Sequence, residues 1–139
     1  MAECIFCKIV SGQIPSAIVH SDDNFFVFLD INPANKGHTL VMPKKHYETF
    51  NDMPAEEVWH LFEMVQKVSK AVEKGLKAEG YNILINNKRP AGQEVGHIHV
   101  HVIPRYKGDE MDVRLGWNYK KYEGNEIKEV ADRIRKSLA

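Results

Sequence analysis

The sequence predicts an α+β fold: a five-stranded antiparallel sheet with one long helix, a short N-terminal helix and a C-terminal helix. Three observations carry this. Several short stretches are apolar or alternate with a period of two, and clusters of turn formers bound them, the pattern of strands. One stretch repeats its apolar residues every three or four positions, the pattern of a helix packed on a sheet. The returns between strands are short, which implies antiparallel pairing rather than parallel crossovers.

Taken in order, residues 4–10 read as a short helix that places Cys4 and Cys7 on one face. Gly12 ends it in a left-handed conformation. A turn at 13–16 leads into strands at 17–20 and 25–29, which form a hairpin because Ser21, Asp22, Asp23 and Asn24 between them are turn formers. His20, and His60 further on, lack supporting residues and are expected at the surface or an edge. Asp, Asn, Pro and Gly make 30–37 a loop. Residues 38–43 form a third strand whose apolar centre suggests burial, and Lys44, Lys45 and His46 leave it.

The long helix is expected over 54–79. Val58, Leu61, Phe62, Val65, Val72 and Leu76 form its apolar stripe; Pro54, Glu56 and Glu57 suit its start, and Gly80 its stop. Residues 81–86 return as a strand that delivers Asn86 and Asn87 to a glycine loop. After the last strand, residues 108–112 are polar and read as a mobile loop. Trp117, Tyr119 and Tyr122 lack periodicity and are candidates for a subunit contact. Residues 126–138 read as an amphipathic helix capped by Asn125, with Ile127, Val130, Ile134 and Leu138 on one face and basic residues late.

The chain of 139 residues fits one domain, 1–139, with a core at 4–105 and a C-terminal extension at 106–139. Its 19 basic and 19 acidic residues cancel, which argues against a general polyanion-binding surface and against long nucleic acid as a partner. The start has no basic segment followed by an apolar core, and no apolar run approaches membrane-spanning length. A soluble, cytoplasmic protein is expected. The two cysteines, Cys4 and Cys7, have three readings: half of a zinc site, a redox dithiol, or two small buried hydrophobes. A redox motif is expected between a strand and a helix, and no strand precedes this pair.

The chemistry is placed in His97-Ile98-His99-Val100-His101-Val102-Ile103-Pro104. In an extended chain His97, His99 and His101 share one face, about 7 Å apart, while Ile98, Val100 and Val102 share the other and pin the register. His-x-His suits one zinc, but the outer two positions are about 13 Å apart, too far for one ion to use all three. The alternative is a nucleophile with supporting acid. Upstream, residues 89–96 contain Gly92 and Gly96, which permit positive φ and close approach of backbone amides, as in an anion nest.

Gly92-Gln93-x-Val95-x-His97-x-His99-x-His101-Val102-Ile103-Pro104-Arg105 resembles the signature of the histidine triad (HIT) superfamily, and within it the Hint-type branch of nucleoside phosphoramidases and nucleotide hydrolases. Cys4 to Val10 with Ile14-Pro15, Phe28 to Pro33, and Gly37 to His46 are similar to family blocks, in order, so the resemblance runs from about Cys4 to Arg105. It implies that His99 is the nucleophile, that His101 and His97 assist, and that His38 supports them from beside the nucleophile. It implies that Asp30 binds the ribose hydroxyls, that Asn86 touches ribose or phosphate, and that amides of Gly92, Gln93 and Glu94 hold phosphate. Phe6, Ile9, Ile14, Phe28 and Ile31 match apolar positions of the base pocket, though without the family they read as core. It further implies a structural zinc on Cys4, Cys7, His46 and His97, and a homodimer joined sheet edge to sheet edge. The substrates so implied are purine nucleoside monophosphate derivatives of the adenosine phosphoramidate type. The alternatives are a dinucleoside polyphosphate hydrolase of the same superfamily and a non-catalytic zinc- and nucleotide-binding regulatory protein. Glu94 stands where many relatives carry Ser or Thr, which bears on substrate choice.

Overall fold

The structure is a computed structural model that describes residues 3–109 and 120–138. The chain divides into two compact units, 1–108 and 109–139. The first unit contains α1 (Ile5–Val10), β1 (Ile18–Ser21), β2 (Phe25–Leu29), β3 (Thr39–Pro43), α2 (Ala55–Gly75), β4 (Gly80–Leu84) and β5 (Val100–Arg105). Its five strands form one sheet in the order β1-β2-β3-β5-β4, and every pairing is antiparallel.

Both faces of the sheet are covered, and β2 shows how. Phe25 and Val27 point to the core shared with α2, whereas Phe26 and Phe28 point to a second cluster with Phe6 of α1. That division explains why β2 reads as a continuous apolar run rather than an alternation. On β3 the same division sends Val41 to the α2 side and Leu40 and Met42 to the α1 side. Asp22 shapes the β1–β2 turn by accepting the Asn24 and Phe25 amides, both at 2.8 Å. The exposed His20 ring places Nε2 2.9 Å from Asp22 Oδ2, and this hydrogen bond, aided by that of the Asn24 amide, lowers the Asp22 carboxyl to about 2. His60 is exposed too, between Glu56 and Glu63.

The long helix ends earlier than its sequence suggests. Leu76 caps it, Lys77 takes a positive φ of 51°, and Gly80 opens β4 rather than stopping the helix. Its buried stripe is Leu61, Val65, Val68, Ser69 and Val72, whereas Phe62 and Leu76 are exposed. A continuous row at i and i+4 positions faces the sheet, and a Phe or Leu one step around the helix falls off that row.

The regular ladder of β5 begins only at Val100, after His97 and His99. The alternation nevertheless extends further back: Ile98, Val100 and Val102 all enter the α2-side core. Ile98 is held before the ladder by its amide, which donates to the Tyr47 carbonyl at 2.8 Å. The histidine face is not open to solvent as a simple two-sided strand would suggest. His97 is wholly buried and His99 nearly so, because α1 lies over them.

In the second unit, α3 (Glu126–Ser137) follows Asn125. The Asn125 side chain makes no capping bond; its carbonyl accepts the Lys128 and Glu129 amides instead. Ile127, Ile134 and Leu138 are exposed, as is Tyr122. Trp117, Tyr119 and residues 110–112 of the expected loop lie outside the described residues. Among the described residues no helix is long and apolar enough to cross a membrane.

Candidate active site

A cavity of about 430 Å³ opens beneath α1, on the face of the sheet that carries the histidines. Its apolar wall includes Phe6, Ile9, Ile14, Phe28 and Ile31, and its polar wall includes Asp30, Asn86, Gly92, Glu94, His99 and His101. Each of these was expected from sequence. The structure adds Pro15, Ser16, Asn32, Leu40 and Val95. Leu40 pairs directly with His101 across β3 and β5 and so shares its face, a relation visible only once the pairing is known.

Hydrogen bonds fix the tautomer of each buried histidine, because a carbonyl oxygen only accepts and a backbone amide only donates. His99 Nδ1 lies 2.7 Å from the His97 carbonyl oxygen, so it carries the proton and leaves a lone pair on Nε2. The edge of the Phe6 ring packs against the His99 ring at 4.9 Å between centroids. Burial lowers the proton affinity of His99, against the opposing pull of the His97 carbonyl and of Asp30 and Glu94, so the ring is kept neutral.

His101 is set in the opposite sense by a relay that starts in the loop leading into β3. The Ala34 amide donates to His38 Nδ1 at 3.0 Å, which puts the His38 proton on Nε2. That proton faces His101 Nδ1 at 2.9 Å, so His101 carries its own proton on Nε2. Burial, with His99 and His38 as neighbours, pushes His101 down to about 4, and burial lowers His38 as well. The two cavity histidines are thus complementary: His99 offers a lone pair and His101 an N–H. His38 does not line the cavity and touches it only through its hydrogen bond to His101.

Asp30 both shapes a turn and borders the cavity. Oδ1 accepts the Asn32 amide at 2.8 Å and shapes the turn, while the side chain also borders the cavity, with Oδ2 3.8 Å from His38 Nε2. The Gln93 side chain is buried off the cavity, its Oε1 accepting the Lys88 amide and its Nε2 donating to the Glu48 carbonyl, both at 2.7 Å. The nest is also narrower than the two glycines suggest. Only Gly92 has positive φ, and the Gly92 and Gln93 amides are engaged by the Arg89 and Lys88 carbonyls within the loop. Asn86 reaches the Gly92 carbonyl at a long 3.5 Å, while Asn87 accepts the Phe50 amide at 2.8 Å and is structural.

His97 lies outside the cavity in a second cluster with Cys4, Cys7 and His46, whose ligand atoms all lie within 4.8 Å of one another. Its Nε2–H donates to the Pro43 carbonyl at 2.8 Å, turning the Nδ1 lone pair to both sulfurs at 3.6 Å. His46 Nδ1 is 3.4 Å from Cys7 Sγ. Sulfur and nitrogen ligands of one tetrahedral zinc stand about 3.6 Å apart, and a ligating histidine ordinarily donates its other N–H to a carbonyl or carboxylate. The donor set therefore fits a structural zinc. Without metal, burial and the neighbouring Cys4 raise the Cys7 thiol, and burial holds His97 at about 4.

Fold and site together define a single-sheet α+β protein in which His101 of β5 and His99 just before it border a cavity beside a separate Cys2His2 cluster. The chain belongs to the HIT domain family, which matches residues 11–108. It is 54% identical over 113 residues to an uncharacterized HIT-like protein of Methanocaldococcus jannaschii, covering 81% of this chain and 87% of that one. It is 38% identical over 135 residues to the adenosine 5'-monophosphoramidase of Schizosaccharomyces pombe, covering 97% and 98%. Among solved structures, a HIT family protein of Bacillus subtilis superposes with a TM-score of 0.85 at 41% identity, covering 99% and 98%. A zinc-bound histidine triad family protein of Mycobacterium smegmatis superposes with a TM-score of 0.74 at 36% identity, covering 98% of both chains.

Proposed function

We propose that this chain is a nucleotide hydrolase of the phosphoramidase type, cleaving the bond between the α-phosphate of a nucleoside 5'-monophosphate and its leaving group. The observation that carries the reading is the His99 tautomer: a neutral imidazole whose Nδ1–H is committed to a carbonyl and whose Nε2 lone pair is left for the cavity. The phosphoramidase name of the S. pombe relative supports the reaction class.

In the first step Nε2 of His99 bonds to phosphorus as the bond to the leaving nitrogen breaks. That nitrogen keeps the electron pair and takes a proton from solvent. The resulting nucleotidyl-imidazolium is stabilised at Nδ1–H by the His97 carbonyl. In the second step water bonds to phosphorus, the P–Nε2 bond returns its pair to His99, and one proton leaves to solvent. His101 Nε2–H donates to a phosphate oxygen throughout, with the Glu94 amide as the remaining donor of the glycine loop. Asp30 takes the ribose hydroxyls and the apolar wall takes the base. Cys4, Cys7, His46 and His97 would hold zinc, which supplies structural cross-linking and no chemistry to the reaction.

The test is intact-protein mass spectrometry of enzyme quenched rapidly after mixing with adenosine 5'-phosphoramidate. A single nucleotidyl adduct on His99 is expected; turnover with no adduct, or an adduct elsewhere, defeats the assignment, and binding without product favours the non-catalytic alternative. The pH dependence follows from burial. Because His99 is held below its ordinary value near 6.5, kcat/KM should stay level as pH falls through 6.5 and drop only in more acid solution. An acid limb centred at or above 6.5 contradicts a buried neutral nucleophile.

The reading includes a homodimer. β4 is an edge strand, and its outward Tyr81 and Ile83 are exposed. Sedimentation equilibrium should give twice the chain mass, and a monomer at micromolar concentration removes this part of the proposal.

A further inference from the structure

The charge inside the cavity is unusual for a site that takes phosphate. Among the described residues lining it, the charged side chains are Asp30 and Glu94, and there is no lysine or arginine. Phosphate sites usually supply cationic forks or ammonium groups. Here two neutral imidazoles receive the phosphate and two carboxylates flank it. Asp30 is partly committed, its Oδ1 to the Asn32 amide and its Oδ2 beside His38. Glu94 is exposed, and no described residue gives it a hydrogen bond or an ion pair. It extends from the loop between Gly92 and β5, so it borders the cavity from a different segment than the α1 and Phe28 wall that suits a base.

A carboxylate in that position repels each further negative charge on a bound nucleotide and attracts a positive one. Resting on the nucleotidyl-transfer reading, we propose that Glu94 is a specificity-determining residue that selects nucleoside phosphoramidates whose leaving amine carries a second, cationic group. By the same interaction it selects against leaving groups that are themselves phosphates. During transfer the P–N bond breaks and the leaving nitrogen takes its proton from solvent, while the distant ammonium stays paired with Glu94 until the amine departs. This separates the chain from a dinucleoside polyphosphate hydrolase, whose leaving group would bring added negative charge to a cavity lined by carboxylates.

Three adenosine 5'-phosphoramidates of nearly equal length test it: those of hexylamine, 1,5-diaminopentane and 5-aminopentanoate, whose far ends are neutral, cationic and anionic. The wild-type chain should turn over the diamine derivative with kcat/KM about fivefold above the hexylamine derivative, the scale of one exposed ion pair, and the anionic derivative by a similar factor below it. Added salt should compress both ratios. In Glu94→Gln the ratios should approach one, and in Glu94→Lys they should invert; Glu94→Asp should keep the order. Equal rates for the three in wild type, or ratios unchanged in Glu94→Gln and Glu94→Lys, overturn the proposal. Failure of all three substrates to react or to form an adduct overturns the enzymatic reading and this inference with it, an outcome distinct from turnover without charge preference.

Discussion

His99→Ala is expected to reduce release of adenosine 5'-monophosphate from adenosine 5'-phosphoramidate by more than about a thousandfold, the scale seen when a covalent nucleophile is removed. The expectation rests on how little else in the cavity could replace it. His101 is nearby, with ring centroids 4.9 Å apart, but the His38 relay places its proton on Nε2, so it presents a donor. Cys4 and Cys7 are in the other cluster, outside the cavity. The substitution leaves the α2-side core untouched, because the ring faces α1, so the variant should remain folded. Chromatographic assay of the released nucleotide reads the rate, and calorimetry confirms folding. A folded His99→Ala protein with near-normal turnover would falsify the assignment of the nucleophile.

The second large effect is expected at the Cys2His2 cluster. Cys7→Ser should abolish stoichiometric zinc and lower the stability of the fold by several kcal/mol, since metal binding at a structural site contributes directly to folding free energy. The physical reason lies in what the cluster joins. Cys4 precedes α1 and Cys7 lies within it, His46 follows β3, and His97 precedes β5, so a metal there would pin α1 across the sheet. Phe6 of α1 packs against both Phe28 and His99, and with Ile9 the same helix supplies part of the apolar wall of the cavity. Loosening it should therefore raise KM more than it lowers kcat. Elemental analysis, thermal melting with and without chelator, and steady-state kinetics check the three parts. Purified wild-type protein free of zinc, with a melting temperature indifferent to chelator, would remove the metal from the account.

Much of the architecture is written in local pattern. The apolar runs of β2 and β3, the period of α2 and the histidine alternation into β5 depend on side chains within a few residues of one another, which is the range a sequence displays. The end of α2 is not so local. Gly80 is the residue that looks like a stop, but the backbone turns at Leu76 and Lys77, and Gly80 is held at the start of β4 opposite Arg105. Gln93 shows the same limit. It sits inside the motif, yet its amide is spent between Lys88 and Glu48, and no spacing rule tells a buried tie from a ligand contact.

By itself the sequence singled out the three alternating histidines and the face they share, because alternation follows from the two-residue repeat of extended backbone. The structure decided their protonation: the proton sits on Nδ1 of His99 because that ring turns back on the His97 carbonyl, and on Nε2 of His101 because that ring meets His38 from the segment just before β3. It also divided the three histidines between two sites, sending His97 to the cysteines and leaving His99 and His101 to the cavity. The His101 and His97 assignments come from contacts between segments tens of residues apart, His38 with His101 and the cysteines with His97, whereas the His99 bond is to a carbonyl two residues away that becomes decisive only because the ring is buried.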